Sequence, residues 1–100
     1  MSEETIVHRQ MGCTIDELLY WLPAATNHQH FSHQTKDQSL IVQFLKVDLT
    51  LEAVAGESRK IALLVIPVLN ATFRFGSKWG KLEIDAFMKR FDLYTQRGGG

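Results

Sequence analysis

Odd-numbered positions from Leu45 to Phe75 are apolar almost without interruption: Leu45, Val47, Leu49, Leu51 and Ala53, then Ile61, Leu63, Val65, Pro67, Leu69, Ala71, Phe73 and Phe75. Side chains alternate faces along a strand, so each half of this run can lay one side on a core. The single break, Gly56-Glu57-Ser58, predicts the turn of a long antiparallel hairpin. Pairing core residue with core residue sets Ala53 opposite Ile61 and Leu51 opposite Leu63. That leaves a loop of about three residues, a common hairpin length with glycine available for positive φ. Pro67 donates no ladder hydrogen bond, so it belongs at an edge-facing position, a bulge or a bend.

The rest of the chain predicts the elements around this hairpin. Thr5 to Met11 reads as a first strand, ended by Gly12. Thr14-Ile15-Asp16-Glu17 matches a capping box, with Cys13 and Leu18 at the two positions of a hydrophobic staple. Ile15, Leu18, Leu19 and Leu22 then form one helical face, and Pro23 predicts that the helix stops near Leu22. The polar stretch that follows has room for a weak edge strand at His28–Gln34 and a turn at Thr35–Gln38. Leu40, Val42 and Phe44 alternate in the even phase. The slip to the odd phase at Leu45 is what a bulge or a turn produces.

Ile84, Phe87, Met88, Phe91 and Tyr94 recur at helical spacing, with Asp85 and Lys89 set for an i,i+4 pair. This predicts a C-terminal helix of three to four turns closed by Arg97 and Gly98. Its aromatic stripe is suited to cover the inward face of the hairpin. The fold class is therefore α+β in two layers, an antiparallel sheet built on a long hairpin with a short N-terminal and a longer C-terminal helix packed on it. In layout it resembles the helix-grip arrangement, in which a C-terminal helix lies across a curved antiparallel sheet. Residues 1–97 form a single domain, and residues 98–100 a flexible glycine tail.

Composition narrows the function classes. The chain has 100 residues, eleven Lys and Arg against eleven Asp and Glu, and one cysteine, Cys13. A balanced charge argues against general nucleic-acid binding, which draws on a surplus of cations. The longest apolar run, Ile61 to Leu69, is too short to span a bilayer and contains a proline. With no apolar leader in the first residues, the expectation is a cytoplasmic protein. There is no phosphate-binding glycine loop, no Gly-x-Ser-x-Gly elbow and no Cys-x-x-Cys. No cofactor is expected, and the reading leans away from an enzyme.

Candidate binding residues fall into four sets. The even positions Ala62, Leu64, Ile66 and Val68 are apolar too, opposite Glu52, Thr50, Asp48 and Lys46 in the expected register. A strand apolar on both sides needs a cover, either the first helix or a second copy of the protein. Tyr20 and Trp21 lie off the core face of the first helix, as exposed binding aromatics or as residues covered by neighbouring segments. Leu64, Ile66, Val68, Tyr20 and Trp21 are the expected partner-binding set for a homo-oligomer or another protein.

The second set is Phe73, Phe75, Phe87 and Phe91, which would line a pocket between helix and sheet if the protein carries a small apolar ligand. The third is His28 and His30, which would share a strand face and chelate a metal ion. The fourth is the tail Arg97-Gly98-Gly99-Gly100, which resembles the C-terminus of ubiquitin-like sulfur carriers and modifiers. That resemblance implies a carboxylate exposed for activation. Cys13, before a helix N-terminus, reads best as a buried apolar residue rather than a reactive thiol, since Asp16 and Glu17 oppose thiolate formation.

Overall fold

In the computed structural model, which describes residues 3–96, the elements run β1 (Thr5–Met11), α1 (Ile15–Ala25), β2 (Phe31–Lys36), β3 (Ser39–Phe44), β4 (Leu49–Ala55), β5 (Arg59–Ile61), β6 (Leu64–Ile66), β7 (Leu69–Phe75) and α2 (Lys81–Thr95). Five strands form one antiparallel sheet in the order β1-β7-β4-β3-β2, and β5 and β6 pair with each other. Both helices cover one face of the sheet, giving the α+β architecture that the hydrophobic pattern predicts.

The pleat fixes which side chains face the helices. Leu49, Leu51 and Ala53 of β4 and Leu69, Ala71, Phe73 and Phe75 of β7 are buried in the odd phase, and Leu40, Val42 and Phe44 of β3 in the even phase. Leu18, Leu22 and Ala25 of α1 and Ile84, Met88 and Phe91 of α2 close over them. The opposite face of the sheet stays open and is laced with polar pairs. Arg74 donates to Glu52 at 3.1 Å, Gln10 to Asn70 at 3.3 Å, and His8 Nδ1 lies 3.2 Å from Thr72 Oγ1.

The long hairpin forms, with a different register and turn. Leu51 pairs with Phe73 and Ala53 with Ala71, not with Leu63 and Ile61. Thr72 and Arg74 therefore lie opposite Glu52 and Thr50 in place of Leu64 and its neighbours. The Gly56 N–H still donates to the Val68 carbonyl at 2.9 Å, so the ladder runs past the expected loop. Glu57 and Ser58 then stand against Pro67 alone, two residues opposite one, which is the arrangement of a bulge. Pairing resumes from Arg59 opposite Ile66 to Ile61 opposite Leu64, and the chain turns at Ala62-Leu63. Pro67 thus occupies a bulge, where its missing N–H removes no ladder bond.

The capping box of α1 is present as expected. The Glu17 N–H donates to Thr14 Oγ1 at 3.1 Å, and the Thr14 N–H to Glu17 Oε1 at 3.0 Å. Cys13 and Leu18 are both buried in the core. The helix end differs from expectation, since α1 runs through Pro23 to Ala25. A proline so near the C-terminus costs little ladder, and the last carbonyls find other donors. Leu22 O accepts from the Thr26 N–H at 2.9 Å and its hydroxyl at 2.7 Å, Pro23 O from the His28 N–H at 2.6 Å, and Ala24 O from Arg90 of α2 at 3.1 Å.

Three smaller expectations also shift. The edge strand begins at Phe31 rather than His28, because Asn27 and His28 adopt positive φ to end α1. The change of phase after Phe44 is made by a four-residue connection, Leu45 to Asp48, which leaves Leu45 largely exposed rather than in the core. In α2 the ion pair of Asp85 is with Lys81, at 2.8 Å, not with Lys89. The closing residues Arg97 and Gly98 and the glycine tail 98–100 lie outside the described residues.

Candidate interaction surface

The residues past the bulge form an arm. From Gly56 to Val65 every residue is exposed, and β5 and β6 pack extensively only on each other. The arm presents Ile61 at 53%, Leu63 at 99%, Leu64 at 64% and Val65 at 62% exposure. The odd positions Ile61, Leu63 and Val65, expected beneath the C-terminal helix, are therefore on the surface. The five-stranded sheet ends at the bulge, Leu69 is the fully buried residue nearest to it, and Ile66 to Val68 at the base are only half-buried. The two-residue turn at the tip carries Ala62 at φ 54°, a positive value usually reserved for Gly, Asn or Asp. At the base, Arg59 donates to Gln10 Oε1 at 3.0 Å, tethering the arm to the end of β1.

The expected partner-binding residues divide between this arm and α1. Leu64 is exposed, while Ile66 and Val68 are half-buried at the arm's base. Tyr20 projects into solvent at 84% exposure, and Trp21 is half-buried against the core. Tyr20 and the apolar tip of the arm belong to different elements.

Two grooves flank the base of the arm. The larger, about 570 Å³, lies between the end of β1, Trp21, the stretch Val65-Ile66-Pro67 and the C-terminal turn of α2 at Phe91. Its rim charges are already engaged. Arg9 makes a bidentate pair with Asp92, 2.9 Å from each guanidinium nitrogen to a carboxylate oxygen. This hydrogen bond, more than the charge itself, holds the Arg9 pKa above its ordinary value. The second groove, about 430 Å³, is on the other side of the base. Ile15 and Asp16 of the first turn of α1, Asp37 of the β2–β3 turn, and Ala55, Pro67 and Val68 line it.

The four phenylalanines of the expected ligand pocket pack on one another. Phe73 meets Phe91 edge to face with ring centroids 4.7 Å apart, and Phe87 meets Phe73 at 6.2 Å and Phe75 at 5.6 Å. Phe73, Phe75 and Phe91 have no exposed surface. Trp79 extends the cluster, 4.9 Å from Phe75, and its indole N–H donates to the Asp48 carbonyl. Of the four, only Phe91 reaches the larger groove.

His28 lies in the turn after α1 and His30 just before β2, so they do not share a strand face. Among the described residues, no group of three His, Cys, Asp or Glu side chains is placed to hold a metal ion. None of their helices is long and apolar enough to cross a membrane. The tail Arg97-Gly98-Gly99-Gly100 lies outside the described residues.

The arm itself was hidden in the pattern. Its odd-numbered residues continue the alternation of the strands on either side, and only the unbroken apolar run from Ile61 to Leu69 departs from a half-buried strand. Comparison with protein-family models, curated proteins and solved structures finds no match.

Proposed function

We propose that this protein is a non-enzymatic binding and assembly module that associates with itself through the β5–β6 arm. The observation that carries the reading is the exposure of Ile61, Leu63, Leu64 and Val65 on a hairpin that packs on little but itself. A contiguous apolar surface of this kind marks an association site. The balanced charge of the chain leaves no strong self-repulsion to oppose association. Four such side chains on each of two arms are worth on the order of 8–16 kcal/mol when buried. Association costs roughly 4–15 kcal/mol of lost freedom. The two are comparable, so apolar burial brings a dimer within reach and leaves specificity to other contacts.

Sedimentation velocity from low to high micromolar concentration tests the reading. A dimer is expected, and Leu64→Glu should dissociate it while leaving the far-ultraviolet circular dichroism unchanged. A strict monomer at high micromolar concentration sinks the proposal.

A second reading, carriage of a small apolar ligand, is favoured by the larger groove beside Trp21. Ligand there would change the Trp21 fluorescence, and the change should vanish in Trp21→Phe while Trp79 remains. Absence of any apolar ligand that alters the emission removes this reading.

A further inference from the structure

Apolar side chains give the arm affinity but not direction, so its charges decide where it goes. Lys60 stands beside the apolar tip and is exposed. Among the described residues it has no ion-pair partner, and neither do Asp16 and Asp37. Those two carboxylates line the smaller groove beside the apolar Ile15, Ala55, Pro67 and Val68, with polar residues such as Thr35 and Gln38 completing the wall. The tip and this groove are therefore complementary in charge, cation against carboxylates, and the groove also offers apolar side chains to the apolar tip. The larger groove offers no such match, because Asp92 is already held by Arg9 and the cation of Arg59 is bonded to Gln10.

Position agrees with charge. The smaller groove opens at the base of the arm, next to Gly56 and Ser58. Two arms lying side by side and antiparallel place each tip beside the base of the other. That arrangement is two-fold symmetric, so the same contact forms twice and no sticky surface is left over. It also sets the free edges of two short strand pairs against each other, where unpaired N–H and C=O groups find partners.

We infer that the occupant of the smaller groove is the arm tip of a second copy of this chain, with Lys60 of each copy against Asp16 and Asp37 of the other. This rests on the self-association proposed above and adds the docking site and the pairing of charges. Like charges brought together across an interface are strongly unfavourable, so the contact can be rewired by exchanging them.

The test uses two full-length variants, Lys60→Glu and the double variant Asp16→Lys with Asp37→Asn. The asparagine keeps a residue type that tolerates the positive φ of 54° at position 37. Thermal unfolding confirms that each variant is folded before use. Alone, each should dimerise about tenfold or more weakly than the parent chain. Mixed in equal amounts they should form a heterodimer, since each arm then meets a groove of opposite charge. Raising the salt concentration should weaken both the parent dimer and the mixed one. Variants that dimerise as well as the parent, or a mixture that stays monomeric, overturn this docking site. If Leu64→Glu still dissociates the parent dimer in that case, self-association through the arm stands and only its place of docking falls.

Discussion

Gly76 stands against the side chain of Asp48, so close that a Cβ at position 76 would overlap the carboxylate. The Gly76 N–H donates to the Asp48 carbonyl at 2.9 Å, and the Trp79 indole N–H donates to the same oxygen at 2.9 Å. One residue of the β3–β4 connection thus anchors the β7–α2 connection, and with it the start of the helix that covers the aromatic core. Gly76→Ala forces the carboxylate of the exposed Asp48 to swing aside, so it should cost only about 0.5–1.5 kcal/mol, as is usual for a displaced rotamer. The cost should shrink in an Asp48→Ala background, because the colliding carboxylate is then gone. Urea unfolding of the four chains gives the coupling, and equal losses in both backgrounds would remove the collision as the cause.

The reciprocal bonds of Thr14 and Glu17 hold the start of α1, whose first turn also lines the smaller groove. Thr14→Ala should lower stability by about 0.5–2 kcal/mol, the usual range for loss of an N-cap hydroxyl. The sheet does not depend on this contact, so cooperative unfolding should persist at a lower denaturant midpoint. An unchanged midpoint in the urea titration would show that the cap contributes nothing measurable.

Ala62 occupies the tip of the arm at φ 54°, where an L-residue other than Gly, Asn or Asp is strained. Replacing it by glycine relieves the strain, which offsets the added freedom of the unfolded chain. Ala62→Gly should therefore be neutral or stabilising by up to about 1 kcal/mol. Ala71→Gly, in the buried centre of β7, should be clearly destabilising. Equal losses at the two sites would argue that the turn is not strained at Ala62.

This turn also explains where the hydrophobic pattern misleads. The alternation of Leu49–Ala53 and Leu69–Phe75 fixes two neighbouring strands and the face each buries, and both are as the pattern predicts. The loop does not follow, because Gly56-Glu57-Ser58 carries turn chemistry, yet Gly56 stays in the ladder and Glu57-Ser58 form the long side of a bulge. Ala62-Leu63 carries none yet makes the turn. A bulge and a tight turn both interrupt a pattern, and only the tertiary packing, which is complete at Leu69 and gone by Val65, separates them. Pro23 misleads for a related reason. α1 runs past it to Ala25, and the helix end is held in part by the distant Arg90, whose guanidinium reaches the Ala24 carbonyl across 66 residues of chain. Capping between Thr14 and Glu17 is local, and it is fully legible.

Arg9 and Asp92 join the edge strand β1 to α2 beside the larger groove, with side chains 35% and 47% exposed. Exposed pairs contribute about 0.2–1 kcal/mol, and bidentate geometry places this one toward the upper end. Arg9→Met should lose about that amount, and less of it at high salt. The sign of the pH dependence follows from the direction of the shift. Hydrogen bonding to Asp92 raises the Arg9 pKa above its ordinary value. The contribution is therefore fully present below the unfolded value and is lost only as pH rises through the folded one. Both lie at the far alkaline end, so the difference between the parent chain and Arg9→Met should stay constant from about pH 7 to about 11. Chemical unfolding at intervals across that range checks it. A difference that declines within the range would mean that another titrating group, and not the guanidinium, carries the link between β1 and α2.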